Sequence, residues 1–298
     1  MTATLPRAPV EPAVLLPPRA VPICVRLAAL FGGVVQQIGW LMLGFSMVFF
    51  YGFALQSDWS GPMFALMDTN RATGTVVSID FTNASENDSP VYRITYTFVA
   101  ANGREVEALA YSTGYAPEPG QRVAVTHLRS QPEVAKVEGM RRTTFGPLAA
   151  IAGIFPLIGA VLVAFGLREG WKANRLLGSG RLAFAKVTSV EPTNTTINNR
   201  PVMAVTLTFR AQDGGSYEVT SKTNTPERLT DQSEELVLFD PDDPTYGTAL
   251  DSLPGSPTID NAGALRPGSS PIACLAALIL PALTVLGNAL YLYFRFTT

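Results

Sequence analysis

The sequence predicts an α+β membrane protein: three transmembrane helices carrying two small antiparallel five-stranded β modules, each a curved sheet or a partly closed barrel. Three observations predict it. The first is an internal repeat. Residues 72–103 lie on residues 183–214 at a constant offset of 111 without a gap, and 13 of the 32 aligned positions are identical, among them Val76/Val187, Thr82/Thr193, Pro90/Pro201, Phe98/Phe209 and Gly103/Gly214. The second is a set of three apolar stretches, about Leu27–Leu55, Phe145–Leu167 and Ile272–Phe294, none of which contains Asp, Glu, Lys, Arg or His. The third is composition: 47% of the 298 residues are apolar and only 15% are charged, against about 25% charged in a soluble domain.

Taken in chain order, residues 1–26 are rich in Pro and Ala (Pro6, Pro9, Pro12, Pro17, Pro18, Pro22). They cannot bury a core and are expected to form a disordered tail. The apolar run that follows is too long for a cleavable signal peptide. About 20 apolar residues at 1.5 Å rise cross the hydrocarbon layer, so each of the three stretches is long enough. Trp59, Trp171, Tyr291 and Tyr293 stand at span ends, where amphipathic rings favour the interface. Ala149/Gly153 and Ala160/Ala164 are small-xxx-small pairs that permit close helix approach, and no GxxxG is expected to join the helices.

Basic residues set the expected orientation. Arg7, Arg19 and Arg26 precede the first span, Arg168, Lys172, Arg175, Arg181 and Lys186 follow the second, and Arg266 precedes the third. Arg71, Arg141, Arg142 and Arg295 lie on the other side. The bias places the N-terminus and the second module in the cytoplasm, and the first module and the C-terminus outside. A single span between the copies puts them on opposite faces; the alternative, a half-way re-entrant hairpin turning at Pro156, would keep them on one face but expose its turn's backbone to lipid. The expected location is the inner (cytoplasmic) membrane, crossed several times.

The modules are read at residues 70–140 and 181–251. In the first, Tyr92, Ile94, Tyr96 and Phe98 alternate with Val91, Arg93, Thr95 and Thr97; in the second, Met203, Val205, Leu207 and Phe209 alternate with Val202, Ala204, Thr206 and Thr208. That period of two marks a strand with one buried face. Asn102-Gly103 and Asp213-Gly214-Gly215 tolerate positive φ and predict the hairpin turn to the next strand. The strand before the alternating one spans about Ala72–Asp80, or Ala183–Glu191. It leads into segments 82–89 and 193–200, which read as polar loops ending at Pro90 and Pro201. Arg122–His127 or Glu235–Phe239 supplies a fourth strand, and Val134–Val137 or Thr248–Asp251 a short fifth. Ser252–Pro271, rich in Gly, Pro and Ser, reads as a linker.

The order of GTVVSID or AKVTSVE, then YRITYTF or MAVTLTF, then a Gly-containing turn and VLFDPDDP resembles the bacterial domain of unknown function family 3592. Val237, Leu238, Phe239, Asp240, Pro241, Asp242, Asp243 and Pro244 match its closing strand and two-proline turn. In the first copy only the strand from Val125 and the final Pro132 keep the pattern. The resemblance implies a bacterial membrane protein with small β domains, and it implies no catalytic residues.

The search for chemistry finds little. His127 is the single histidine, too few for a zinc site, and it reads as a strand residue in the place that Phe239 holds in the second copy. Asp240, Asp242 and Asp243 offer oxygen ligands without the spacing of a calcium loop and read as a turn. Cys24 and Cys274 belong to no CxxC pair and to neither module, so neither a metal site nor a disulfide framework is expected. Asn83, Asn87 and Asn194 lie in N-x-S/T contexts and read as polar loop residues. No phosphate-binding loop, GxSxG or HExxH is present. The formal net charge is −2, which gives no basic excess for nucleic acid.

The expected function is therefore non-enzymatic: no catalytic residues, no cofactor and no metal, with the lipid bilayer and a protein partner, or a second copy of the chain, as the interacting species. A transmembrane sensor, whose outer module binds a ligand and whose inner module relays it, is the alternative. A lipid-directed enzyme would have only His127 and scattered carboxylates to work with.

Overall fold

Glycine interrupts the first apolar run. Gly32 closes α1 (Ile23–Phe31), with its N–H on Ala28 O at 2.7 Å. The chain restarts after Gly33 as α2 (Val34–Phe49), which ends in a π-helical turn, Phe50–Ala54. Two adjacent glycines carry a helix penalty of about 1 kcal/mol each, enough to break a run that hydropathy alone reads as continuous from Leu27. The computed structural model describes residues 17–197, 199–231, 233–260 and 263–297; residues 1–16 of the N-terminal tail lie outside them. Among the described residues, three helical segments are long and apolar enough to cross a membrane: Val34–Ala54, Pro147–Ser179 and Pro271–Thr297. The second comprises a 3₁₀ turn, Pro147–Gly153, and α4 (Ile154–Ser179). The third comprises α5 (Pro271–Ala276) and α6 (Ile279–Thr297).

Two five-stranded antiparallel sheets complete the α+β architecture. Strands β1 (Thr69–Glu86), β2 (Ser89–Val99), β3 (Glu105–Thr113), β4 (Arg122–Leu128) and β5 (Ala135–Val137) are ordered β3-β2-β1-β4-β5. Strands β6 (Arg181–Ile197), β7 (Arg200–Arg210), β8 (Ser216–Thr223), β9 (Glu235–Phe239) and β10 (Gly247–Ala249) repeat that order as β8-β7-β6-β9-β10. The registers repeat as well. Gly74 faces Phe98 and Ala185 faces Phe209, and both first strands are bulged at the same two places, Val76/Ser78 with Phe81/Ser85 and Val187/Ser189 with Pro192/Thr196. Neither sheet is a closed barrel, since no ladder joins the outer strands among the described residues.

Among the described residues, which leave out residue 198, the segments expected as polar loops are strands and their turn. Past the second bulge, β1 and β2 continue as a two-stranded arm to a tight turn at Asn87 (φ 48°) and Asp88 (φ 62°), the left-handed pair of a hairpin turn. The same bulge is pinned the same way in each copy. Thr82 Oγ1 donates to Val91 O at 2.6 Å and Thr193 Oγ1 to Val202 O at 2.7 Å, while the amides of Ala84 and Thr195 donate back to the two hydroxyls. An arm wetted on both faces needs no apolar alternation, which is why its sequence reads as loop.

The chain divides into two compact units, residues 45–157 and residues 1–44 with 158–298. In the first, Val76, Ile94, Tyr96, Phe98, Val106 and Val125 form the core of the β1–β5 sheet. Between the helix end and the sheet lies α3 (Ser60–Leu66). Ser57 bridges Phe145 in parallel fashion, and Tyr111 bridges Arg141, which covers the end of the β3 edge.

In the second unit, Val205, Leu207, Phe209, Val219, Val237 and Phe239 form the sheet core. A further cluster joins Val25 and Ala29 of α1, Leu176 and Leu177 of α4, Leu238 of β9, and Leu253 and Leu265. This cluster explains why α4 runs beyond Leu167 through Arg168, Lys172 and Arg175: its last turns seat the sheet. Gly180 alone separates α4 from β6. The expected linker is also partly ordered. It carries a short hairpin, β11 (Thr258–Ile259) with β12 (Leu265–Arg266).

Helix contact in this unit is made through glycine. An added Cβ would lie 2.6 Å from Leu43 N at Gly159, 2.1 Å from Gln36 Oε1 at Gly166 and 2.6 Å from Ala29 O at Gly170. Gly166 and Gly170 form a GxxxG that straddles the end of the second apolar stretch, so the close approach uses different residues from the Ala149/Gly153 and Ala160/Ala164 pairs.

Candidate functional site

The isolated candidates for chemistry have structural surroundings. His127 lies in β4 opposite Asn70, and Phe239 lies in β9 opposite Arg181, the residue that aligns with Asn70 at the repeat offset. The two side chains hold one position in the fold. His127 is 1% exposed. Its Nδ1 is 2.9 Å from Leu128 O, its ring is 5.3 Å from that of Phe98, and its Nε2 has no partner among the described residues. In the second copy Phe209 and Phe239 make the same pair at 4.7 Å. His127→Phe is therefore expected to stabilise the protein by about 1–2 kcal/mol, because it removes a buried ring nitrogen that nothing satisfies. Thermal unfolding of the detergent-solubilised protein checks this, and a lower melting temperature would contradict it.

Two of the three carboxylates of the DPDDP segment, those of Asp240 and Asp243, face their own turn. Asp240 Oδ1 accepts from Asp242 N at 3.0 Å, and Asp243 Oδ1 accepts from Thr245 N at 3.2 Å and Thr245 Oγ1 at 2.6 Å. Asp240 also meets Arg175 of α4 at 3.6 Å. No group of three or more His, Cys, Asp or Glu side chains suited to a metal ion comes together among the described residues. The two cysteines, far apart in the sequence, are free thiols close enough in space to influence each other.

The richest polar constellation is one that sequence reasoning missed. Glu86, near the tip of the first arm, accepts from Arg141 Nη1 through both carboxylate oxygens, at 2.8 and 2.7 Å, and from Thr113 Oγ1 at 2.9 Å. Arg141 Nη2 donates to Thr113 Oγ1 at 2.8 Å and to Thr144 O at 3.0 Å. Burial pushes the Glu86 carboxyl up, but the hydrogen bonds from Arg141 and Thr113 outweigh it and hold the group below its ordinary value. Nearby, Asp58 Oδ2 accepts from Arg142 N at 2.9 Å, while Oδ1 accepts from the amide and hydroxyl of Ser60. Burial raises Asp58 too, and these bonds bring it below its ordinary value. The pair tethers the arm to the segment that enters the next helix. No local signal marks it: the partners are 55 residues apart, and Ile197 stands at the Glu86 position of the second copy.

Beside this tether lies a crevice of about 560 Å³, within the usual size range for ligand sites. Phe53 and Phe145, with ring centroids 5.1 Å apart, form its apolar side. Thr82, Asn83 and Arg93 of the β1–β2 hairpin, together with Gln56, form much of its polar side. A different kind of surface is offered by β3 and β8, each one of the two outer strands of its sheet. Beyond the Tyr111–Arg141 bridge, the edge of β3 is available to an added strand.

No family model matches the chain, and no curated protein matches it. Among solved structures, it is similar to a chain from a replication protein A heterotrimer bound to ssDNA, at 10% identity and a TM-score of 0.16, over 63% of this chain and 44% of that one. The chain thus spans under half the length of that protein, and so low a score carries no argument about fold or function.

Proposed function

We propose that the chain is a non-enzymatic, multi-pass protein of a bacterial inner membrane, with two sibling sheets that bind a protein partner or stabilise an assembly at its surfaces. The observation that carries this reading is the alternation of two like sheets with three apolar helical segments. Outward-facing side chains on these segments are apolar and well exposed, such as Phe45 at 66%, Val161 at 67% and Leu286 at 67%. A protein surrounded by water leaves no such continuous apolar surface, and lipid is the solvent that suits it. The resemblance to family 3592 fits the same assignment. One span between the copies and the basic-residue bias support an assignment of the first sheet to the outside and the second to the cytoplasm.

Cysteine labelling tests the arrangement. In a background lacking Cys24 and Cys274, Ser85→Cys is expected to react with a membrane-impermeant maleimide in intact cells, and Thr196→Cys only after permeabilisation. Equal reaction at both positions would overturn the opposite-face topology. The partner role is tested by a photoreactive residue at Glu107, on the β3 edge. A discrete cross-linked product supports the role, and recovery of monomer alone opposes it.

A sensor is the second reading, and the one-residue join between α4 and β6 favours it, because movement of the helix has no slack to be lost in. A ligand-dependent change in cytoplasmic accessibility of the β6–β7 arm would separate the sensor from a static scaffold.

A further inference from the structure

We propose that the crevice in the first unit binds one anionic phospholipid, headgroup phosphate toward Arg93 and glycerol-acyl portion along Phe53 and Phe145. The inference rests on the membrane reading above. Phe53 belongs to the last turn of the first apolar segment, and Phe145 precedes by two residues the Pro147 that opens the second. The apolar side of the crevice is thus made where two spans end, the level at which headgroups lie. Trp59, 63% exposed and anchored by its Nε1 on Ala54 O at 3.1 Å, marks the same level.

The polar side suits a phosphodiester. Arg93 is the only charged residue of the lining, and no carboxylate lines it. Its one ion pair among the described residues is a long 3.5 Å contact with Asp80, both side chains being about half exposed (47% and 50%). A guanidinium has five N–H donors, so most remain for a phosphate, and Asn83 and Gln56 supply neutral amides beside it. A lining whose only charge is one cation favours a singly charged headgroup over a zwitterionic one, whose ammonium would have only the rim carboxylate of Asp80, already facing Arg93.

The second copy shows that fold upkeep does not require these residues. Thr82, which pins the bulge, is retained as Thr193, whereas Phe81, Arg93 and Tyr111 become Pro192, Ala204 and Lys222. The same scaffold is built without the cation or the aromatic rim, so both are features of the first copy alone.

The test uses the full-length protein in detergent, titrated with dioleoyl phosphatidylglycerol, dioleoyl phosphatidylcholine or inorganic phosphate and followed by native mass spectrometry. The expected result is one retained phosphatidylglycerol per chain, weakened at least about tenfold by Arg93→Gln and much less by Arg93→Lys. Gly52→Leu provides an independent variant. Gly52 lines the crevice, and an added Cβ meets no atom within 4 Å, so the leucine fills the space without disturbing the backbone and should abolish retention. Equal binding by wild type and both variants would overturn the site. So would phosphatidylcholine bound as tightly as phosphatidylglycerol, or phosphate alone binding as well as the lipid. Alkaline carbonate extraction separates the two levels: loss of lipid selectivity in a carbonate-resistant protein removes this site and leaves the membrane reading intact, whereas release by carbonate removes both.

Discussion

Arg141→Ala is expected to destabilise the protein by about 2–4 kcal/mol, since it strips Glu86 of its charged partner in a half-buried site and leaves the acceptors at Thr113 and Thr144 unfilled. Arg141→Lys should recover only part of the loss, because one ammonium can take the place of Nη1 on the Glu86 oxygens but not also that of Nη2 on Thr113 and Thr144. The acid response supplies the diagnostic. Glu86 and Asp58 both titrate below their ordinary values, 4.5 and 3.8, in the folded state. A depressed carboxylate contributes stability that is fully present above its unfolded pKa and is lost as pH falls through the folded one. Wild type should therefore weaken on acidification below about pH 4.5, and the gap between wild type and Arg141→Ala should narrow there. Thermal melts in detergent at neutral and acid pH read both effects. A gap that stays constant with pH would show that the guanidinium acts through packing and not through charge.

Gly159→Leu is expected to cost about 3 kcal/mol and to loosen α2 from α4. The added Cβ would fall 2.6 Å from Leu43 N and 2.8 Å from Leu43 Cα. Both are backbone atoms, so no rotamer change relieves the clash and the helices must separate. Gly287→Leu is the matched control, since a Cβ on Gly287 meets nothing within 4 Å. It adds the same side chain to an apolar helix and should leave the melting temperature almost unchanged. Equal losses in the two variants would trace the effect to helix propensity or solubility and not to the contact.

The parts of the fold written in hydrophobic pattern are legible in the sequence. Ile94, Tyr96 and Phe98, like Val205, Leu207 and Phe209, announce a one-faced strand and are buried, although Val91 and Val202, read on the polar face, are buried as well. The hairpin glycines Gly103 and Gly214 have φ of 81° and 82°, as their turns demand. Features that depend on distant partners are not legible. The arm beyond Thr82 is polar on both faces, so its strands leave no periodic trace and Asn87-Asp88 carries a weaker turn signal than Asn-Gly. The break at Gly32–Gly33 is masked by uniformly apolar flanks. The continuation of α4 to Ser179 runs through charged residues, and only its seat against Leu238 and Leu253 explains it. Glu86 and Arg141 look like ordinary surface charges until the arm folds back. The crevice is still harder to read, because its lining comes from a helix end, a hairpin and the segment leading into the next helix.

Two sheets of one register in a single polypeptide create a folding hazard: β1 of the first could recruit β7 of the second, its near twin. The tight turn at Asn87–Asp88 guards against this. Partners within a copy are joined by two residues, whereas the rival sits a further 111 positions away, a handicap of about 3–4 kcal/mol in chain closure. Each hairpin zips while its imitator is still being synthesised or still wandering, so the very shortness of the arm's tip keeps tandem siblings from trading strands.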